Sequence, residues 1–318
     1  MARVTFAARV SQVAGGCWDF VYSRKHCVYR SASRVIANFG DAGYLPGSVR
    51  QHATMPLRPG LERTELLLKI QSSTIALIMI GLATAGAVLV SVFAPDLDVE
   101  IARRLFDPVA KRFPAASQLT LAWLRGQGYV IVAALFGCII CALVVKLFAP
   151  RRPLLVPGRA IIFLTLTMAI GPGLLVNAVF KPHGGRPRPV EVRQFGGKQS
   201  YVPWWNFEGS CQNNCSFVSG ETSTAAWLFA PAILAPAPWR AVALAGAALF
   251  TVSIGALRMA YGGHFFSDVV FAALMTCFVI WLAHGLIFRW TRTRLDETAI
   301  DRCIAHFAYT VRGVFSGK

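Results

Sequence analysis

The sequence predicts an all-α protein, a polytopic membrane helix bundle with six transmembrane helices. The chain has 318 residues, of which 55% are hydrophobic and only 15% are charged, and its mean hydropathy is +0.52. A soluble domain of this length carries about 25% charged residues. The apolar residues are also grouped into long runs, and a helical span requires about 20 such residues.

Six apolar runs are candidate spans, and in chain order they lie at 73–94, 129–148, 161–180, 222–235, 241–256 and 265–288. The third run contains Gly171-Pro172-Gly173, which predicts a break that neighbouring helices or water must satisfy. The fourth run is the shortest and contains Pro231. We therefore expect a membrane domain at 61–290.

The segments outside the spans are basic. Residues 1–60 contain no apolar core of a signal peptide and are predicted to be a disordered cytoplasmic extension, with Met55 as an alternative start. Residues 99–113 place apolar and basic side chains at helical spacing, which fits a helix in the membrane interface or a solvated connector helix. Residues 291–318 are predicted to be a cytoplasmic tail.

The distribution of arginines predicts the orientation. Six spans place both termini on one side, and seven arginines share that side: Arg151, Arg152, Arg159, Arg240, Arg289, Arg292 and Arg294. The positive-inside rule then makes the termini cytoplasmic, although the first outer loop is also basic. The net charge of +17 fits membrane anchoring and an anionic substrate. Nucleic-acid binding is not expected, because no soluble domain carries a basic stripe with interleaved aromatic residues.

The eight cysteines show no zinc-binding spacing. Cys138, Cys141 and Cys277 lie in apolar runs and are expected to pack as small hydrophobic residues. Cys211 and Cys215 flank three polar residues in a long loop. They form a small disulfide if that loop faces an oxidising compartment, and are otherwise two free thiols.

Three groups of polar residues fall at the outer ends of the spans, where ionisable side chains are costly and indicate function. They are Lys181 and Arg188; Ser219, Gly220 and Glu221; and Arg258, His264 and Asp268. Ordinary polar loop residues at helix ends are the alternative interpretation.

The chemistry of these groups suits a phosphate monoester. Asp268 follows His264 by four residues, so its carboxylate can reach the imidazole, fix one tautomer and leave the other nitrogen as a nucleophile. Lys181, Arg188 and Arg258 can neutralise nearly two negative charges without a metal or other cofactor. Ser219 and Gly220 open a predicted helix, whose N-terminus favours an anion.

The order and spacing of these residues resemble the three-part signature of the type 2 phosphatidic acid phosphatase superfamily. The matching elements are Lys181-x6-Arg188-Pro189, Ser219-Gly220 and Arg258-x5-His264-x3-Asp268. The resemblance covers roughly 73–288. It implies a membrane lipid phosphatase in which His264 forms a phosphohistidine and Asp268 orients it. Lys181, Arg188 and Arg258 would bind the phosphate, with Ser219 and Gly220 on its oxygens.

Three positions depart from this signature. Val218 and Leu257 stand where the family usually has proline and serine, and Glu221 stands where it has the histidine that protonates the leaving group. We expect Glu221 to be catalytic as the proton donor, a role that requires a raised pKa. It could instead bind a sugar hydroxyl or an amine of the substrate, accompany a leaving group that needs little acid help, or be an inert substitution.

The substrate expected from the resemblance is a lipid phosphate. The strings SFVSGE and GRPRP look most like the bacterial lipid A phosphatases, including the 4'-phosphatase type, which implies an inner-membrane protein with a periplasmic active site. Phosphatidylglycerophosphate, phosphatidate and undecaprenyl pyrophosphate are alternative substrates. A non-catalytic lipid-binding protein or a transporter is the alternative class. Trp204 and Trp205 could guide a headgroup or belong to an interfacial aromatic belt.

Overall fold

The computed structural model describes residues 59–149 and 156–315. The prediction of an all-α fold is confirmed, since these residues contain no strand. The helices are α1 (Pro59–Phe93), α2 (Leu97–Leu105), α3 (Leu119–Phe148), α4 (Gly158–His183), α5 (Gly220–Ala226), α6 (Phe229–Leu234), α7 (Ala237–Ala260), α8 (Phe266–Arg289) and α9 (Glu297–Phe315). Most of the predicted N-terminal extension, including Met55, lies outside the described residues. The described residues from Ala76 onward form one compact unit, and all contacts below lie within it.

Five helices are long and apolar enough to cross a membrane, namely α1 from Ser73 onward, α3, α4, α7 and α8. The fourth predicted span at 222–235 is different, because it consists of the two short helices α5 and α6. The chain turns at Trp227, whose carbonyl accepts the N–H of Ala230. Pro231 has no N–H to continue an α-helical ladder back to Trp227. The indole of Trp227 is fully buried and donates to the carbonyl of Leu164 on α4 at 3.2 Å.

Three further boundaries differ from the sequence prediction. The second span begins at Leu119, so Arg125 lies on a helix and not in a loop. The predicted interfacial helix at 99–113 is helical only within α2, and Lys111 adopts a left-handed backbone with φ 50°. The predicted tail contains α9, which is held by ion pairs of Lys146 with Asp301 at 2.9 Å and Arg159 with Glu297 at 3.0 Å.

The predicted break in the third span is a π-helical segment of α4, Ala169–Phe180. It contains Pro172, whose carbonyl accepts a hydrogen bond from the side chain of Asn177 at 2.9 Å. The Asn177 side chain thus makes a polar contact inside the segment, in keeping with the need to pair polar groups in apolar surroundings. The helix then resumes for one short turn that carries Lys181.

Two apolar clusters hold together the helix ends near the long loop after α4. One joins α2 to the loops after α2 and α4 and to Phe265 at the start of α8; its phenylalanines Phe106, Phe113 and Phe195 have ring centroids 5.2 to 5.5 Å apart. In the second, Trp204 packs on Phe271 of α8 with centroids 4.3 Å apart. Trp204 is thus a packing residue, whereas Trp205 is 42% exposed.

Close approach of α7 and α8 sets the distance between their polar residues. A Cβ added to Gly255 on α7 would lie 2.5 Å from the side chain of Val269 on α8. Only glycine therefore allows this contact without displacing Val269. The contact brings the end of α7, which carries Arg258, beside the start of α8, which carries Asp268.

Candidate active site

His264 lies in the turn between α7 and α8 and is only 2% exposed. Its Nδ1 is 2.8 Å from the carbonyl oxygen of Ser216. Because a carbonyl can only accept, Nδ1 must carry the proton in the neutral ring, and the lone pair is on Nε2. Sequence reasoning assigned this bond to Asp268, but the Asp268 Oδ2 lies 3.8 Å from Nδ1. The backbone of Ser216 therefore fixes the tautomer, and Asp268 supplies a nearby negative charge.

The surroundings of His264 keep the imidazole neutral. Burial lowers the pKa of His264 to about 4, although Asp268 opposes the shift; the charges of Arg258 and Lys181 add to the lowering. A neutral ring with a free Nε2 is the nucleophilic form of histidine.

Asp268 lies in the first turn of α8 and is fully buried. Its Oδ2 accepts hydrogen bonds from the hydroxyl of Ser216 at 2.5 Å and the backbone N–H of Phe265 at 2.7 Å. Its Oδ1 accepts from Arg186 at 2.5 Å. These donors make burial of the carboxylate tolerable, because an unpaired buried carboxylate is strongly destabilising.

Arg186 and Asp98 belong to this network and were missed from the sequence. Both are buried, and Arg186 Nη2 donates to Asp98 Oδ2 at 2.7 Å. Burial alone would lower the pKa of Arg186, but Asp268 and Asp98 raise the pKa above its ordinary value. Arg186 stands beside Arg188 in a run rich in arginine and proline, so the sequence contained the residue but no sign that it is the buried one.

The predicted phosphate-binding residues come from three segments that meet beside His264. Lys181 lies in the last turn of α4, Arg188 follows in the next loop, and Arg258 lies near the end of α7. The charges of Arg188 and Arg258 are close enough to Lys181 to act on it. A Cβ on Gly220 would lie 3.6 Å from Lys181 Cε, and one on Gly263 would lie 2.5 Å from Arg258 Nη2. Glycine at position 263 therefore leaves room for Arg258, whereas the distance at Gly220 is an ordinary van der Waals contact.

Ser219 caps the start of α5. Its Oγ accepts from the hydroxyl of Thr222 at 2.9 Å and from the Thr222 N–H at 3.4 Å. Its own N–H donates to the backbone carbonyl of Asp268 at 3.1 Å. The Ser219 hydroxyl therefore keeps its proton for another acceptor. The backbone bond to Asp268 fixes Ser219 next to the start of α8.

Glu221 is held between two arginines. Arg125 of α3 donates through Nε at 2.9 Å and through Nη2 at 2.5 Å, and Arg258 Nε lies 3.2 Å from Glu221 Oε1. Burial alone would raise the pKa of Glu221, but the hydrogen bond from Arg125 and the charges of Arg258 and Arg125 lower it. The carboxylate is ionised at neutral pH, so the raised pKa that a proton donor requires is not found.

The loop between Arg188 and α5 contains a disulfide between Cys211 and Cys215, which is one of the two predicted states. Asn214 lies inside this ring and adopts a left-handed backbone with φ 53°, which asparagine tolerates well. Its Oδ1 accepts from Lys181 Nζ at 3.1 Å, and its backbone carbonyl accepts from Arg188 Nη2 at 2.9 Å. One small ring thus holds two of the cations in place.

Comparison with known proteins places this constellation in a family. A family model described as the PAP2 superfamily matches residues 160–292. A lipid A 4'-phosphatase of Francisella tularensis subsp. novicida is 36% identical over 196 residues, which are 61% of this chain and 88% of that protein. The chain belongs to the PAP2 superfamily. All eight site residues predicted from the sequence lie within the residues that match this family, whereas Asp98 and Arg125 precede them.

Two further relatives align over a shorter region. A lipid A 4'-phosphatase of Rhizobium leguminosarum is 42% identical over 113 residues, which are 36% of this chain and 48% of that protein. One of Rhizobium etli is 41% identical over 117 residues, 34% of this chain and 46% of that protein. No solved structure matches the chain at a comparable level.

The low pKa of His264 predicts an unusual titration. An NMR pH titration of the imidazole in nanodiscs, assigned with His264→Gln, should give a midpoint near 4. The neutral ring should therefore persist down to about pH 5 and be lost only as the pH falls further, since a depressed pKa favours the neutral form at every pH above it. A midpoint near the ordinary value of about 6.5 would show that burial does not control this group.

The ring of Cys211 and Cys215 predicts a contribution of Asn214 to phosphate affinity. Asn214→Gly keeps the left-handed backbone but removes the acceptor of Lys181, and the KM for a phosphate ester should rise roughly five-fold, the value of about one hydrogen bond. Opening the ring with a reductant should raise KM in the same direction. Gln212→Ala, an exposed change in the same ring, is the matched control. Equal KM values for the two variants would contradict the role of Asn214.

Proposed function

We propose that this protein is a metal-independent lipid A 4'-phosphatase that hydrolyses a phosphate monoester on the sugar headgroup through a phosphohistidine. The observation that carries the proposal is the buried, neutral His264 with its free Nε2 near Lys181 and Arg258, which in turn lie close to Arg188. Membership of the PAP2 superfamily and the names of the three relatives support the reaction and the choice of lipid.

The reaction begins with attack of His264 Nε2 on phosphorus. The N–P bond forms as the P–O bond to the sugar breaks, and the leaving oxygen takes a proton from water. Lys181, Arg188 and Arg258 neutralise charge on the phosphoryl oxygens, and the hydroxyl of Ser219 and the backbone at Gly220 complete the cradle. Water then attacks phosphorus, the N–P bond breaks, and inorganic phosphate leaves.

Asp268 supports the charged intermediate. When Nε2 bonds to phosphorus, the ring retains its proton on Nδ1 and becomes positively charged. The Ser216 carbonyl accepts that proton in a hydrogen bond of 2.8 Å, and Asp268 Oδ2 lies 3.8 Å from the same nitrogen. A carboxylate at this distance stabilises the charged ring more than the neutral ring, so it assists the step that forms the intermediate.

Glu221 has a different role from the histidine that it replaces. As an ionised group between Arg125 and Arg258 it cannot donate a proton, and the interpretation as a general acid is set aside. The ion pair between Glu221 and Arg258 instead positions Arg258 at the phosphate site. The ion pair with Arg125 brings a second guanidinium to the site, and its side chain is 36% exposed. The exposed guanidinium of Arg125 is available to hydroxyl or phosphate oxygens of the headgroup, which corresponds to the substrate-binding alternative for this position.

The periplasmic face of the inner membrane is the proposed location of the site. When α5 and α6 together count as one crossing, both ends of the membrane domain lie on the same side, and the positive-inside rule then makes that side cytoplasmic. The Cys211–Cys215 disulfide supports the same side, because disulfides persist in oxidising compartments. A membrane-impermeant reductant should therefore raise KM in intact spheroplasts, and an effect seen only after lysis would place the site in the cytoplasm.

The substrate is tested with purified protein in nanodiscs. Lipid A bearing phosphates at both ends should lose the 4'-phosphate by mass spectrometry, and lipids extracted with and without the gene should differ by the same phosphate. His264→Ala should lower turnover by at least about a thousand-fold, as expected for loss of a nucleophile. Phosphatidate, phosphatidylglycerophosphate and undecaprenyl pyrophosphate serve as competitors. Faster release from any of these would replace lipid A as the substrate, and release by His264→Ala at the wild-type rate would refute the mechanism.

A further inference from the structure

Arg186 is the most deeply buried cation described in the chain, with a fully buried side chain. It bonds with both ends of its guanidinium: Nη1 donates to Asp268 Oδ1 at 2.5 Å and to the hydroxyl of Ser267 at 2.8 Å, and Nη2 donates to Asp98 at 2.7 Å. Its plane also lies 4.4 Å from the ring centroid of Phe265. Such a forked geometry is specific to arginine.

Asp98 connects this arginine to the start of α8. It comes from α2, and its Oδ1 accepts the backbone N–H of Ser267 at 2.8 Å while its Oδ2 accepts the Ser267 hydroxyl at 2.5 Å. The N–H belongs to the first turn of α8, where a carboxylate is favourable. Asp98 therefore fixes both Arg186 and the helix turn that carries Asp268.

The carboxylate of Asp268 has a defined orientation because its two oxygens have different partners. Arg186 holds Oδ1, so Oδ2 remains on the side of Ser216, Phe265 N–H and His264. Rotation of the carboxylate would break the bond to Arg186, whose side chain is fully buried, as is that of Asp268. Arg186 thus sets which oxygen faces the imidazole.

The buried network of Asp98, Arg186 and Asp268 carries a net negative charge that suits the positively charged ring of the phosphohistidine. Asp98 and Asp268 contribute two negative charges and Arg186 one positive charge, leaving one negative charge beside a neutral His264. When the ring becomes positively charged, the buried group as a whole becomes neutral. Low-dielectric surroundings strengthen the attraction between that negative charge and the charged ring, which offsets part of the cost of burying the charge.

We propose that Asp98 and Arg186 are positioning residues for the nucleophile, acting through Asp268 to stabilise the phosphohistidine. Among the described hydrogen bonds, the side chains of Asp98 and Arg186 make none to the cradle residues. The inference rests on the proposed function of His264, but it assigns to the reaction a residue of α2, outside the region that matches the PAP2 family.

The central variant is Asp98→Asn, which keeps the shape and removes the charge. Because the added negative charge favours the transition state and not the bound substrate, kcat should fall by about ten-fold or more with KM within about two-fold, as for other residues that orient reacting groups. Asp98→Glu should recover part of kcat. Glu100→Gln removes the same charge from the same helix, at a side chain that is 44% exposed, and should leave kcat and KM unchanged.

The assay uses p-nitrophenyl phosphate with full-length protein in nanodiscs, so that it does not depend on which lipid is the substrate. Rapid quenching should show slower formation of the phosphoenzyme in Asp98→Asn, with a melting temperature close to wild type. Equal kcat in Asp98→Asn and Glu100→Gln would overturn the proposal. So would parallel losses of kcat, substrate affinity and melting temperature, which indicate a purely structural role.

A milder variant covers the case in which Asp98→Asn does not fold. Ser267→Ala removes one hydroxyl that bonds both Arg186 and Asp98 but keeps the backbone bond to Asp98. It should lower kcat several-fold at constant KM, and wild-type kcat would overturn the proposal. If wild-type protein releases no phosphate, the proposed function fails; if wild type is active and these variants match it, only this inference fails.

Discussion

Neutralisation of one buried carboxylate, Asp268, is the interaction on which the rest of the site depends. An ionised carboxylate removed from water is destabilising by several kcal/mol unless donors surround it. Its donors come from the loop after α4, from the disulfide loop and from the turn before α8. Folding that satisfies this one group therefore brings three distant segments together, and the imidazole of His264 is positioned by the same turn.

The other charged residues of the site leave positive charge that a bound phosphate would neutralise. Arg186 and Glu221 each have full counter-charges within the protein, in the first case Asp98 and Asp268 and in the second Arg125 and Arg258. Lys181 and Arg188 instead donate to neutral oxygens of Asn214. A cation bonded only to neutral oxygens retains charge for an incoming dianion. The disulfide ring that contains Asn214 can thus preorganise the cradle without cancelling its charge.

The sequence was sufficient for those features that depend on local pattern. Apolar runs located five spans, and three short motifs brought together His264, Asp268 and the cradle residues. The fourth span was wrong as a single helix because the turn at Trp227 depends on packing against α4. Two ion-pair partners, Arg125 and Asp98, were not predicted from the sequence. They lie 96 and 88 residues from Glu221 and Arg186, respectively, and no local spacing encodes such distant pairs. The Ser216 carbonyl was missed because any residue type can supply a backbone oxygen.

Detection of the covalent phosphohistidine is the most direct test of this mechanism. Protein in nanodiscs would be mixed with ³²P-labelled phosphate ester, quenched in alkali within milliseconds, digested and sequenced by mass spectrometry. We expect phosphate on the imidazole of His264, in a form that is stable in alkali and labile in acid. It should form and disappear at rates that match turnover. Turnover without a phosphorylated His264, or with phosphate on another residue, would contradict the mechanism.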